Sequence, residues 1–183
     1  MVLNSHSLRS QTEQRLKRIK KSIRVCPTIY QEYIEKQYEL RITVIGDRVL
    51  AVKILSNNDQ ATMIDWRAAH IYGRSPVVEK FSLPAEWEAM AKAWVNGMGL
   101  LFGAIDAIVN KDEQIVFLEV NPFGQFLWCE QLVPDVHILD AFCRVVEERC
   151  GILRSCDSRT ISMQDLENAV MKEFSEVKGR DWS

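Results

Sequence analysis

Two carboxylates and a carboxamide, Asp106, Glu119 and Asn121, fall at spacings that can hold a hard cation. Glu119 interrupts an otherwise apolar run, Ile115-Val116-Phe117-Leu118-Glu119-Val120. A carboxylate buried in such a strand is costly unless it is paired or bound to a metal. Alternate residues of a strand share a face, so Phe117, Glu119 and Asn121 are expected on one side. Residues 102–109 and 114–121 form an expected hairpin around Asn110-Lys111-Asp112-Glu113. With Val109 opposite Gln114, Asp106 faces Phe117 and lies diagonal to Glu119. Diagonal neighbours sit roughly 7–8 Å apart at the backbone, close enough for two carboxylates to share an ion. A donor set made only of hard oxygens suits magnesium held together with phosphate oxygens, and it does not suit zinc. A plain structural account stands beside this one: Asp106 takes a nearby cation, and Asn121 starts the turn at Pro122. Register decides between faces, because a slip of one residue turns Asp106 to the other side.

Two weaker signals accompany the hairpin. Glu39 and Arg41 alternate on one face of an earlier run, Glu39-Leu40-Arg41-Ile42. Taken alone, they read as an ion pair on an edge strand. Arg67 follows a polar loop in Asp65-Trp66-Arg67, where a guanidinium can clamp phosphate or carboxylate bidentately. An exposed surface arginine is the plainer outcome there.

The elements that must position these residues alternate between hairpins and helices. Residues 39–45 and 48–55 are apolar-rich runs joined by Gly46-Asp47, a hairpin signal. A helix is expected over 11–23, a short strand over 28–34, and a loop over 56–65. Residues 84–94 read as a helix with Pro84 in its first turn and Trp87, Met90, Ala91 and Trp94 on one face. Residues 136–150 read as a helix capped by Gly151. Residues 162–177 read as another, entered by the cap-like Ser162-x-x-Asp165. The fold class is α+β, with an antiparallel sheet packed against helices.

The 183 residues are 47% hydrophobic and 26% charged, with a net charge of -2. That balance supports a real core and excludes the basic footprint of a nucleic-acid binder. The one basic run, Lys17, Arg18, Lys20, Lys21 and Arg24, reads as a solvated helix face. Five cysteines, an odd number without CxxC spacing, read as reduced thiols of a cytoplasmic protein. No apolar run approaches a membrane span, and the polar N-terminus lacks a signal-peptide core.

These pieces occur in one known order. Gln31-Glu32-Tyr33-Ile34, Glu39-Leu40-Arg41, Val44-Ile45-Gly46-Asp47-Arg48-Val49, Asp65-Trp66-Arg67, Phe102-Gly103-Ala104-Ile105-Asp106 and Phe117-Leu118-Glu119-Val120-Asn121-Pro122 together resemble the C-terminal half of ATP-grasp ligases. Asp65-Trp66-Arg67 and the stretch Phe123-Gly124-Gln125-Phe126-Leu127-Trp128 resemble the microviridin-type ATP-grasp maturases of ribosomally made peptides in particular. Ribosomal-protein glutamate ligases and bacterial glutathione synthetases are more distantly similar. The likeness spans about residues 27–141.

The resemblance implies roles. Gln31, Tyr33 and Ile34 match the hinge that holds adenine, and Glu39 matches the ribose-binding acid. Arg41 and Arg67 match arginines facing the phosphates or the acyl-phosphate. Asp106, Glu119 and Asn121 match the magnesium ligands. The implied ligands are ATP, Mg2+ and a precursor peptide, and the implied reaction activates a carboxylate as an acyl-phosphate before an amine or hydroxyl displaces phosphate.

On the same basis residues 1–26 read as a helical remnant of the small ATP-grasp subdomain. Residues 27–150 read as the large subdomain with the nucleotide and metal site, and 151–183 as a helical extension. The lysine that the small subdomain supplies to the α-phosphate has no evident counterpart here. The chain is therefore expected either to need a second chain supplying that half or to be a non-catalytic nucleotide-binding remnant or regulatory subunit.

Overall fold

A computed structural model describes Lys20 and residues 31–56, 66–67, 75–152 and 159–178. The chain divides into two compact units, Met1–Glu35 and Lys36–Ser183. In the first, residues 31–35 form no helix or strand, so the strand expected over 28–34 is not found at 31–34, and residues 28–30 lie outside the described residues. The expected helix over 11–23 also lies outside them, Lys20 excepted.

The second unit is built on five antiparallel strands: β1 (Lys36–Ile45), β2 (Arg48–Leu55), β3 (Val77–Phe81), β4 (Phe102–Asn110) and β5 (Ile115–Asn121). Their order is β3-β2-β1-β4-β5. β1 and β2 pair through the Gly46-Asp47 turn, where Gly46 takes φ +56. A side chain there would be strained, and its Cβ would meet Val145 at 3.0 Å.

Alternation along β1 divides the sheet. Leu40, Ile42 and Val44 face one way, with Ile105, Ala107 and Val109 of β4. Helix α1 (Ala85–Gly97) covers that face through Ala91 and Val95. It lies close because Gly103 has no side chain: a Cβ there would sit 2.7 Å from Val95. The buried stripe is turned from the expected one, leaving Met90 37% exposed.

Ile45 belongs to the other face, where it packs with Val52 of β2. Three elements cover that end: α2 (Leu127–Leu132), a 3-10 turn (Pro134–Val136) and α3 (Ile138–Arg149). Cys129, Val136, Ile138, Ala141 and Val145 fill the space beneath them. A last helix, α4 (Met163–Lys178), starts from the expected cap, with Ser162 and Asp165 exchanging hydrogen bonds.

Glu130 fastens these helices together. It is 2% exposed. One carboxylate oxygen accepts the Leu139 N–H at 2.7 Å, and the other accepts the Met163 N–H at 2.8 Å. A single side chain thus caps the first turns of α3 and α4, where orphan donors and the helix dipole both favour an anion. Asp140 adds a bond from the Ile161 N–H and a pair with Arg144. Among the described residues, no helix is long and apolar enough to cross a membrane.

Candidate nucleotide and metal site

The candidate residues on β1, β4 and β5 lie on the sheet face that α2 and α3 cover at one end. Arg41 stands directly opposite Asp106, and Asp106 directly opposite Glu119. The three make one transverse row across the sheet, cation, anion, anion. Asn121 stands two pairs further along, opposite Ala104 and on the same face.

This register differs from the expected one and reaches the same face by another route. Val109 pairs with Ile115 rather than Gln114, a shift of one residue. Left alone, that shift sets Asp106 against Leu118. A bulge between Asp106 and Ala107 absorbs Leu118 on the β5 side, so the next pair is Asp106 with Glu119. The bulge also separates residues expected together. Phe117 pairs with Ala107 and touches Trp94 of α1, with ring centroids 4.8 Å apart, while Glu119 faces the opposite side. A second premise changes as well: β5 is an edge strand and Glu119 is exposed, so burial is not what constrains it.

Arg41 is 5% exposed on a central strand, which sets aside the edge-strand reading of Glu39 and Arg41. Its guanidinium donates to Asp106 Oδ1 at 2.7 Å and to the Gln125 carbonyl at 2.8 Å. The loop after β5 approaches it closely at Gly124, where a Cβ would lie 2.5 Å from Arg41 Nη2 and 2.7 Å from Ala104. Only glycine fits there without a shift of the loop. Arg67 reaches the other oxygen of Asp106 at 3.2 Å. Trp66, buried beside it, stacks on Trp128 at 4.9 Å. The Trp128 indole N–H donates to the same Gln125 carbonyl. Asp65 lies outside the described residues.

Glu39 lies on the same face as Arg41 and pairs with Lys36. Gln31, Tyr33 and Ile34 belong to the first unit, where Gln31 is exposed and the other two are half-buried. Asn121 Oδ1 accepts the Phe123 N–H at 2.9 Å, which fixes its side chain at the loop entrance.

The donor set fits a hard cation that brings its own oxygen ligands. Like charges directly opposite across a strand pair repel. Asp106 is offset by two arginines, whereas Glu119 has no ion-pair partner among the described residues. No group of three His, Cys, Asp or Glu side chains forms a metal cluster among those residues. Giving one oxygen each, two carboxylates and one carboxamide leave about half of an octahedral sphere to phosphates and water, which suits magnesium.

Cys129 lies under this site. Burial pushes its thiol up to about 12, with Asp106 adding to the rise and Arg41 partly opposing it. The folded state therefore holds the proton more tightly than the unfolded state, whose ordinary value is near 9. The stabilisation is complete below the unfolded value and is lost as pH rises through about 12. Accordingly, iodoacetamide at pH 8 should label the exposed Cys150 and spare Cys129 until the chain unfolds. Peptide mass mapping reads this directly, and equal labelling of the two would contradict it.

A model of the RimK-like ATP-grasp domain matches residues 5–133, more than half of the chain. The chain belongs to the RimK-like ATP-grasp family. Among solved structures, a RiPP-associated ATP-grasp ligase of Chryseobacterium gregarium, in complex with ADP and a leader and core peptide, is 29% identical, with a TM-score of 0.66 over 82% of this chain and 44% of that one. The macrocyclase MdnC of Microcystis aeruginosa, bound with its precursor peptide, is 32% identical, with a TM-score of 0.61 over 75% and 41%. The ATP-grasp ligase PsnB, complexed with a precursor variant, Mg and ADP, is 19% identical at a TM-score of 0.50 and speaks to the fold alone. No curated protein matches. The chain thus spans less than half the length of the two ligases named first. The ATP-grasp fold and the α+β class expected from the sequence are the ones found.

Proposed function

We propose that the chain is the ATP- and magnesium-binding part of a ligase that joins a carboxylate to an amine or hydroxyl through an acyl-phosphate. Its substrate is a ribosomally made precursor peptide, and it works in the cytoplasm. The observation that carries this reading is the row Arg41–Asp106–Glu119, in which two arginines converge on one carboxylate beside a second, uncompensated one. The ADP and peptides bound to the ligase of Chryseobacterium gregarium support the ligand classes.

In this reading Gln31, Tyr33 and Ile34 hold adenine and Glu39 holds the ribose hydroxyls. Asp106, Glu119 and Asn121 hold magnesium, which neutralises phosphate charge when bound. Arg41 and Arg67 orient the phosphates and stabilise charge on the transferring group. A substrate carboxylate oxygen bonds to the γ-phosphorus as the bond to the ADP oxygen breaks. The amine or hydroxyl then attacks the acyl carbon, phosphate leaves with the C–O electron pair, and the nucleophile gives up its proton. A second chain that supplies the other side of the nucleotide site is the further partner in this reading.

Photolabelling with 8-azido-ATP tests the nucleotide assignment. Label is expected within residues 31–39, dependent on magnesium and competed by ATP. Label elsewhere, or label indifferent to ATP, contradicts it.

A further inference from the structure

The two arginines on Asp106 are held very differently. Arg41 is buried and tied at both Nη atoms, to Asp106 and to the Gln125 carbonyl. The Arg67 side chain is 53% exposed and reaches Asp106 Oδ2 at 3.2 Å. What is fixed is its base. Its neighbour Trp66 is 8% exposed and stacked on Trp128, whose indole is anchored on the carbonyl that anchors Arg41. The Arg67 guanidinium also lies 5.3 Å over the Trp66 ring. A buried aromatic base thus carries a half-exposed cation.

We propose that the Trp66–Trp128 stack is a positioning device for Arg67, and that Arg67 is a removable counter-ion. It neutralises Asp106 until a divalent cation takes that carboxylate, and then turns to the phosphates of the bound nucleotide. The proposal rests on the metal and nucleotide reading above. Its physical basis is competition for one oxygen. Arg41 occupies Oδ1 at 2.7 Å and Arg67 reaches Oδ2 at 3.2 Å, so an ion that takes Oδ2 meets the more weakly held of the two cations. A guanidinium and a divalent cation at the same oxygen repel strongly at such short range. The Arg67 end of the pair is half open to solvent, and such a pair is weaker than the buried one that Arg41 makes. Its base stays in place, so the displaced charge remains within a side chain's length of the site.

The competition gives opposite signs for two ligands. We expect Arg67→Ala to bind Mn2+ alone about threefold more tightly, the scale of one exposed ion pair. The same variant should bind Mg-ADP about tenfold more weakly, having lost a charge-assisted contact to phosphate. Trp128→Leu should copy both changes, although Trp128 touches neither ligand. Trp128→Phe keeps a ring in the stack, so its shifts should be smaller. Mn2+ binding is read by electron paramagnetic resonance and Mg-ADP binding by calorimetry, on the full chain. A purely structural role for Trp128 weakens both ligands together. That outcome, or same-sign changes in Arg67→Ala, overturns the counter-ion proposal while leaving the site reading intact. A wild-type chain that binds neither Mn2+ nor Mg-ADP overturns both. If Trp128→Leu does not fold, Trp128→Phe decides the role of the stack: it must show the same opposite signs, at smaller size, or the stack is not the device.

Discussion

Replacing Arg41 by alanine should cost about 3–5 kcal/mol of folding stability, the usual loss when one partner of a buried ion pair is removed. Both side chains of the pair are largely buried, at 6% and 16% exposed. Without Arg41, Asp106 keeps only the exposed Arg67, and the Gln125 carbonyl loses a charged donor. The space that Gly124 leaves for the guanidinium empties as well. Arg41→Lys should fall between wild type and alanine, because one ammonium cannot reproduce the fork that reaches Asp106 and Gln125 at once. Adding Asp106→Ala to Arg41→Ala should recover part of the loss, since no stranded carboxylate remains. Urea unfolding of the three variants measures this. A loss below about 1 kcal/mol for Arg41→Ala would place the pair among ordinary surface ion pairs and contradict the account.

Glu130→Ala should lower stability by about 3 kcal/mol or more, because two hydrogen bonds to an ionised acceptor are lost together. Each bond closes a helix N-terminus, and the N-cap residue of α3, His137, makes no side-chain cap hydrogen bond that could take its place. Glu130→Gln should cost about half as much, since a carboxamide has one accepting oxygen and its nitrogen cannot accept an N–H. Limited proteolysis between α3 and α4 should accelerate in the same order, alanine before glutamine before wild type. Equal stability of the alanine and glutamine variants would show that only one of the two bonds matters.

Much of this molecule is legible in the sequence because pattern and turn chemistry agree. Gly46-Asp47 between two alternating runs announces the β1–β2 hairpin, and the structure pairs them there. Ser162 and Asp165 mark the start of α4, and both bonds of that cap form. Other parts were hidden for physical reasons. β3 reads Val77-Val78-Glu79-Lys80-Phe81, which lacks alternation; it exists because β2 offers an open edge. α2 is only six residues long, too short for a helical period to show. Asp106 and Glu119 do come to one face, but by a shift and a bulge that no local signal in β5 marks. Glu130 and the Trp66–Trp128 stack act between segments distant in sequence, so spacing alone could not find them.

The most direct test of the central claim is titration calorimetry of ATP into the chain, with and without magnesium, on wild type and Glu119→Ala. Glu119 is exposed on an edge strand, so its removal should leave folding unchanged and report on the site alone. The account predicts binding that requires magnesium and is lost in Glu119→Ala. Binding that is indifferent to magnesium, or equal in the two proteins, would contradict a metal–nucleotide site on β4 and β5.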